Sequence, residues 1–188
     1  GRRANVAVGT KVRIPSENFG AIARTVTDSM DGSLQRLKMD HVDIFHLHNP
    51  ITVGGGGESI SAAQVLNEVV PAFEALRKSG KTRFLGITAV GDTDALHQVI
   101  DAELIDSAQV SYNMLNASAA TALPPNYPAQ DYGRLFAHTQ KAGVGVVGIR
   151  VLAGGALTGT AERHPIASPP PAPIGSAHTH EMDLERGR

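Results

Sequence analysis

The sequence predicts an α/β fold in which five parallel strands alternate with helices, laid out as an incomplete (β/α)8 barrel. Three observations carry that prediction. Apolar runs of strand length recur, each followed by a turn and an amphipathic helical pattern at the spacing of βαβ units. The G-x-G-x-x-G fingerprint that an open doubly wound sheet carries after its first strand is absent. Polar residues (Lys11, His48, Thr88, Gln109 and Arg150) fall at or near the carboxyl ends of strands, the face where such barrels collect functional groups.

Taken in order, the first strand reads Val6 to Val12, followed by a helix near Asn18 to Leu37. Phe19, Ile22, Ala23, Val26, Met30, Leu34 and Leu37 keep three-and-four spacing, so this helix is expected to bury one face. The second strand is Val42 to His48. A loop with four consecutive glycines, Gly54 to Gly57, follows it and reads as flexible rather than as a phosphate cradle. A phosphate loop would need Lys-Ser/Thr and a helix at once. The next helix is expected to begin near Pro71, bury Phe73 and Leu76, place Arg77 and Lys78 in its last turn and stop at Gly80.

The third strand is Thr82 to Thr88, and its helix starts at Asp92 or Thr93 and runs through Ile100. The fourth strand is Ser107 to Ser111, followed by a Pro/Ala-rich loop and a helix near Asp131 to Ala142. The fifth is Val144 to Ile149. The proline-rich stretch 164–180 reads as irregular loop, so the domain expectation is one partial barrel over 1–188 with 160–188 mostly irregular.

Composition narrows the partners. The 188 residues carry 41% hydrophobic and 19% charged residues, ordinary for a globular domain, with a formal net charge of -1. The basic residues do not cluster, which argues against nucleic acid or an anionic membrane as partner. No apolar run approaches the roughly 20 residues needed to span a bilayer. There are no cysteines, so disulfides and thiolate metal sites are excluded, and a reducing, cytoplasmic setting is expected. The chain lacks an initial Met and opens directly on strand-like sequence, as a chain starting in mid-fold would.

Lys11 and His48 gain meaning together. At the tips of adjacent strands they converge, and a cation beside an imidazole suits polarisation of a carbonyl during proton and hydride transfer. Thr88 and Gln109 add a hydroxyl and an amide to the same rim, groups suited to the carboxamide of a nicotinamide ring. His46 shares the facing of His48 by the period-two rule and is read as a core histidine one layer deeper. His178 and His180 read as solvated loop. His138, on a helix, and His164 share no metal-ligand spacing with a carboxylate, so no metal site is expected.

These residues resemble a known family. Gly9-Thr10-Lys11-Val12, Ser33-Leu34-Gln35-Arg36-Leu37 with Asp40, and Val42 to Pro50 look like the middle of an aldo-keto reductase. Gly80 to Thr88, Gln109 to Asn113 and Leu152 to Gly159 continue the series in order, over roughly residues 5–165. The resemblance implies strands three to seven of a (β/α)8 barrel that interconverts an aldehyde or ketone, or a sugar, and its alcohol with NADP or NAD. It maps Lys11 and His48 onto the catalytic lysine and histidine. Thr88, Gln109, Arg150, Leu152 and Gly154 map onto the cofactor side. Its remaining Asp and Tyr would lie upstream of residue 1, so this chain alone is expected to be inactive and to fold poorly or self-associate.

Two departures from the family pattern stand inside the chain. The usual Ser-Asn pair reads Thr88-Ala89, which keeps only a hydroxyl. The aromatic that stacks on nicotinamide is replaced around Ile149-Arg150, as in a bacterial sugar-dehydrogenase-like branch. A non-catalytic cofactor-binding or regulatory protein on the same barrel is the alternative. A Schiff-base lyase using Lys11 leaves the motif series unexplained.

Overall fold

The computed structural model describes residues 3–188. The chain divides into two compact units. One is Gly1–Gln109 with His138–Val146; the other is Val110–Ala137 with Val147–Arg188.

The first unit is built on a sheet whose strands are β1 (Gly9–Val12), β2 (Val42–Leu47), β5 (Thr82–Ala89) and the opening residues of β6 (Ser107–Ser111) and β7 (Gly145–Ile149), in that spatial order. β1 pairs with β2, and β2 with β5, in parallel. Between β2 and β5 lie two short strands, β3 (Ile51–Thr52) and β4 (Ile60–Ser61), paired in a second small sheet. The helices are α1 (Ile22–Leu37), α2 (Ala62–Gln64), α3 (Val70–Lys78), α4 (Thr93–Asp101) and the end of α5 (Leu135–Lys141). The α/β alternation and the five strands therefore stand where the sequence reading puts them.

Boundaries differ in instructive ways. β1 starts at Gly9, three residues later than the apolar run suggests, because Arg3–Asn5 form a 3-10 turn and Val6 is left 54% exposed. α1 follows a 3-10 turn at Ser16–Ala21 and buries Ile22, Val26, Met30, Ser33 and Leu34. Ala23 and Leu37, expected on that face, are exposed. Lys38 ends the helix in the left-handed region, and its N–H turns back to the carbonyls of Gln35 and Leu34.

The larger correction concerns α3. The chain is helical from Ala62 onward, with a π-helical segment at Val65–Val69 joining α2 to α3. Ser61 starts it with a capping box: its hydroxyl accepts from the Gln64 N–H, and the Gln64 side chain reaches back to the Ser61 N–H. Pro71 lies inside this run rather than at its beginning. Proline has no N–H for the usual bond to residue i−4, and the wide turn just before it makes room for the ring. Gly80, at φ +77, ends α3 as expected.

Two buried polar residues tie β1 to its neighbours. At the amino end of β2, the Asp43 carboxylate accepts from the Val8 N–H (2.8 Å) and from Arg83 (3.0 Å), and pairs with Arg3 (2.9 Å). The Val8 N–H, followed by Arg83 and Arg3, outweighs burial and holds this carboxyl down at about 2. At the carboxyl end, fully buried Asn49 accepts from the Ile14 N–H and donates to the Ile14 and Glu58 carbonyls. Asn49→Ala would strand two buried backbone groups of Ile14 and a partly buried carbonyl of Glu58. A loss of roughly 2–4 kcal/mol in urea denaturation is expected.

The second unit contains the ends of β6 and β7, the start of α5, a 3-10 segment at Ala153–Thr158 and α6 (His180–Arg186). α5 begins at Leu135, four residues after the expected start, because Gly133 and Arg134 take positive φ. α6 is a helix within the stretch read as irregular, capped by the Thr179 hydroxyl, which accepts from the Met182 N–H (3.3 Å). Its first residue, His180, is 8% exposed, so it is a packed residue and not a solvated one. Among the described residues no helix is long and apolar enough to cross a membrane.

Candidate functional site

The first unit carries Lys11, His48, Thr88 and Gln109. Parallel register sets Lys11 beside His46 and His46 beside Gly86. His48 follows the last residue of β2, and its N–H still donates to the Val12 carbonyl (2.8 Å), so the ring is held at the strand tip before Pro50 forces the chain away. From there His48 Nδ1 lies 3.1 Å from the Thr88 hydroxyl, which donates to Gln109 Oε1 at 3.3 Å. Three side chains from three neighbouring strands thus form one hydrogen-bonded row. Thr88 is buried, Gln109 half-buried, and Lys11 and His48 exposed.

One layer below, His46 is 3% exposed, with Nε2 3.3 Å from the Ser107 hydroxyl. Gly86 makes the seat: a Cβ there would lie 2.5 Å from His46 Cδ2 and 2.6 Å from the Ser107 carbonyl oxygen. Burial first, then the charges of Lys11 and His48, push the His46 imidazole down to about 4. His46 is therefore neutral at neutral pH. His48 is also depressed, by desolvation and then by the charges of Lys11 and Arg13. Lys11 thus acts electrostatically on both imidazoles.

The sequence reading did not single out Arg13 or Glu58. Arg13 follows Lys11 by two residues on the same side of the strand path and forms an ion pair with Glu58, just past the glycine run. The i, i+2 spacing from Lys11 was the available signal. The glycines make a turn in which Gly55, Gly56 and Gly57 all have positive φ, and no phosphate-loop helix follows them directly.

In the second unit, Arg150 stands at φ +56 just past β7, its carbonyl accepting from Asn113 (3.0 Å) and from the Ala153 N–H (2.7 Å). With Asn113, Asn116, Ser176 and Asp183 it lines a cavity of about 20 Å³, room for a single water. Leu152 is 53% exposed. Gly154, at φ +69, gives its carbonyl to Arg163 (2.8 Å). The three tyrosines all lie in this unit. Tyr112 packs on Phe136, and the Tyr127 hydroxyl donates to the Leu115 carbonyl and accepts from Arg186. Tyr132 is fully buried, its phenol pushed up to about 12 by burial. Among the described residues no three His, Cys, Asp or Glu gather as metal ligands.

Lysine, histidine, threonine and glutamine thus stand at or near the carboxyl ends of successive parallel strands, the end where parallel-stranded barrels carry their functional groups. The chain belongs to the Aldo/keto reductase family, whose model matches residues 1–180. It is 36% identical over 171 residues to an L-galactose dehydrogenase of Arabidopsis thaliana, covering 89% of this chain and 48% of that protein. Its fold is similar to that of the aldo-keto reductase AKR11C1 from Bacillus halodurans in its holo form. The TM-score is 0.59 and the identity 25%, over 88% of this chain and 47% of that one. An aldo/keto reductase from Klebsiella pneumoniae, solved with NADP and acetate, shares the fold at a TM-score of 0.56 and 23% identity, over 82% of this chain and 46% of that one. The chain spans about half the length of these relatives, in keeping with an incomplete (β/α)8 barrel.

Proposed function

We propose that this chain carries the lysine–histidine half of a nicotinamide-dependent oxidoreductase site, interconverting an alcohol, including a sugar, with its carbonyl. The observation that carries this reading is the row His48–Thr88–Gln109 at three strand tips, with the Lys11 charge acting on His48. The L-galactose dehydrogenase relative supports a sugar as substrate, and the NADP-bound relative supports NADP or NAD as cofactor.

The residues fit such a cofactor. Thr88 occupies one lone pair of the Gln109 carbonyl, which leaves the amide its NH2 donors and a second acceptor position. Those match the one carbonyl and one amino group of a carboxamide. Gln109 and Thr88 would hold the ring. When bound, the cofactor accepts or supplies the hydride. Lys11 contributes a fixed positive charge that favours a developing oxyanion, and His48 hydrogen-bonds the reacting oxygen.

The test is titration of the chain with NADPH, followed by nucleotide fluorescence. Saturable binding is expected, weakened about tenfold by Gln109→Ala, in line with the loss of a hydrogen-bonded pair. Absence of binding would overturn the reading. Aldehyde turnover is expected to be negligible, because Tyr112, Tyr127 and Tyr132 all fall outside the region where the resemblance puts the family's tyrosine. That placement also favours a second reading for these residues on their own, cofactor binding without catalysis.

A further inference from the structure

The hydrogen bond between Thr88 and Gln109 decides more than the position of an amide. A threonine hydroxyl has one proton and can donate once, while its oxygen can accept twice. Gln109 presents its carbonyl oxygen to Thr88, and this contact is a hydrogen bond only if Thr88 donates. The proton is then spent. The 3.1 Å contact between Thr88 Oγ1 and His48 Nδ1 requires a proton between them, and the imidazole alone can supply it. A neutral imidazole carries one N–H, so with that proton on Nδ1 the Nε2 atom is a bare lone pair.

We infer that Thr88 is a positioning residue that fixes His48 as its Nδ1–H tautomer, so that Nε2 accepts a hydrogen bond from a substrate hydroxyl. A carbonyl oxygen has no proton to give, so this arrangement selects the alcohol as the partner of His48. The choice of substrate group rests on the oxidoreductase reading above; the tautomer does not.

Several features keep the arrangement in place. Thr88 is 2% exposed, so bulk water does not readily replace either partner. Burial first, and then the charges of Lys11 and Arg13, disfavour a second proton on the ring. The hydroxyl is also what remains of the usual Ser-Asn pair at Thr88-Ala89. The position that keeps its hydroxyl is the one that reaches the histidine.

Long-range ¹H–¹⁵N spectra of the chain labelled at histidine nitrogens test this directly, since protonated and bare ring nitrogens resonate far apart. His48, assigned by loss of its signals in His48→Gln, is expected as the Nδ1–H form at neutral pH. Thr88→Val keeps the shape and removes the hydroxyl, and should move His48 to predominantly the Nε2–H form. Thr88→Ser should restore the wild-type pattern. An Nε2–H signature in the wild type, or a His48 signature indifferent to Thr88→Val in a protein with unchanged circular dichroism, overturns the inference. NADPH titration of the same samples reads the oxidoreductase proposal separately: lost binding with the tautomer intact sinks that proposal and leaves the tautomer assignment standing.

Discussion

Gly91→Ala is expected to lower stability by at least about 3 kcal/mol, enough to drop the thermal midpoint by roughly 6–12 °C in a domain of this size. Gly91 sits at φ +125, where an L side chain is strained whatever space surrounds it. A Cβ there would also lie 1.9 Å from the Ile51 carbonyl oxygen and 2.6 Å from the Ile51 nitrogen, both backbone atoms that no rotamer change can move. The flanking residues bracket Ile51, whose N–H donates to the Val90 carbonyl and whose carbonyl accepts from the Asp92 N–H, each at 2.8 Å. Relief of the clash would break both bonds and release β3 from the turn into α4. Scanning calorimetry of the variant checks the expectation. A midpoint within 2 °C of wild type, on the order of what half a kcal/mol produces, would count against it.

Acid sensitivity is the second large effect. His46 titrates at about 4 in the folded chain against an ordinary value of 6.5. Between those values the unfolded chain binds a proton that the folded chain refuses, so stability falls as pH falls. The contribution is fully present above pH 6.5 and gone below about pH 4. It amounts to roughly 3 kcal/mol across that window. Urea denaturation at a series of pH values should show this slope in the wild type and a much flatter one in His46→Gln, which can still bond Ser107. A slope that survives the substitution unchanged would assign the acid sensitivity elsewhere. Asp43 does not confuse the window, because its carboxyl titrates at about 2 and acts only at lower pH.

Much of this architecture was legible because β strands buried on both faces leave near-continuous apolar runs, as in Val42 to Leu47 and Thr82 to Ala89. Strand tips follow from strand ends, so Lys11, His48, Thr88 and Gln109 could be named before any coordinates. Their mutual hydrogen bonding could not, since it depends on register between strands whose contacting residues lie 21 and 40 positions apart along the chain. The helix α6 was hidden by the prolines before it; its cap is Thr179, and its first residue, His180, packs away from solvent. The start of the helical run at Ala62 was hidden for a different reason. Val65, Val69, Val70, Phe73 and Leu76 are all buried, but Val70 follows Val65 by five residues, its N–H bonded back to the Val65 carbonyl, and that step breaks three-and-four spacing.

That break is the signature of the π segment, which holds one residue more than an α turn needs. With one exposed residue such as Asn67 removed, Val65, Val69, Val70, Phe73 and Leu76 would fall into regular helical phase. The segment Val65–Val69 is therefore a length buffer. It is a point where the chain can lose a residue without rotating the apolar stripe of α3, and so without disturbing the strand tips where Thr88 meets His48.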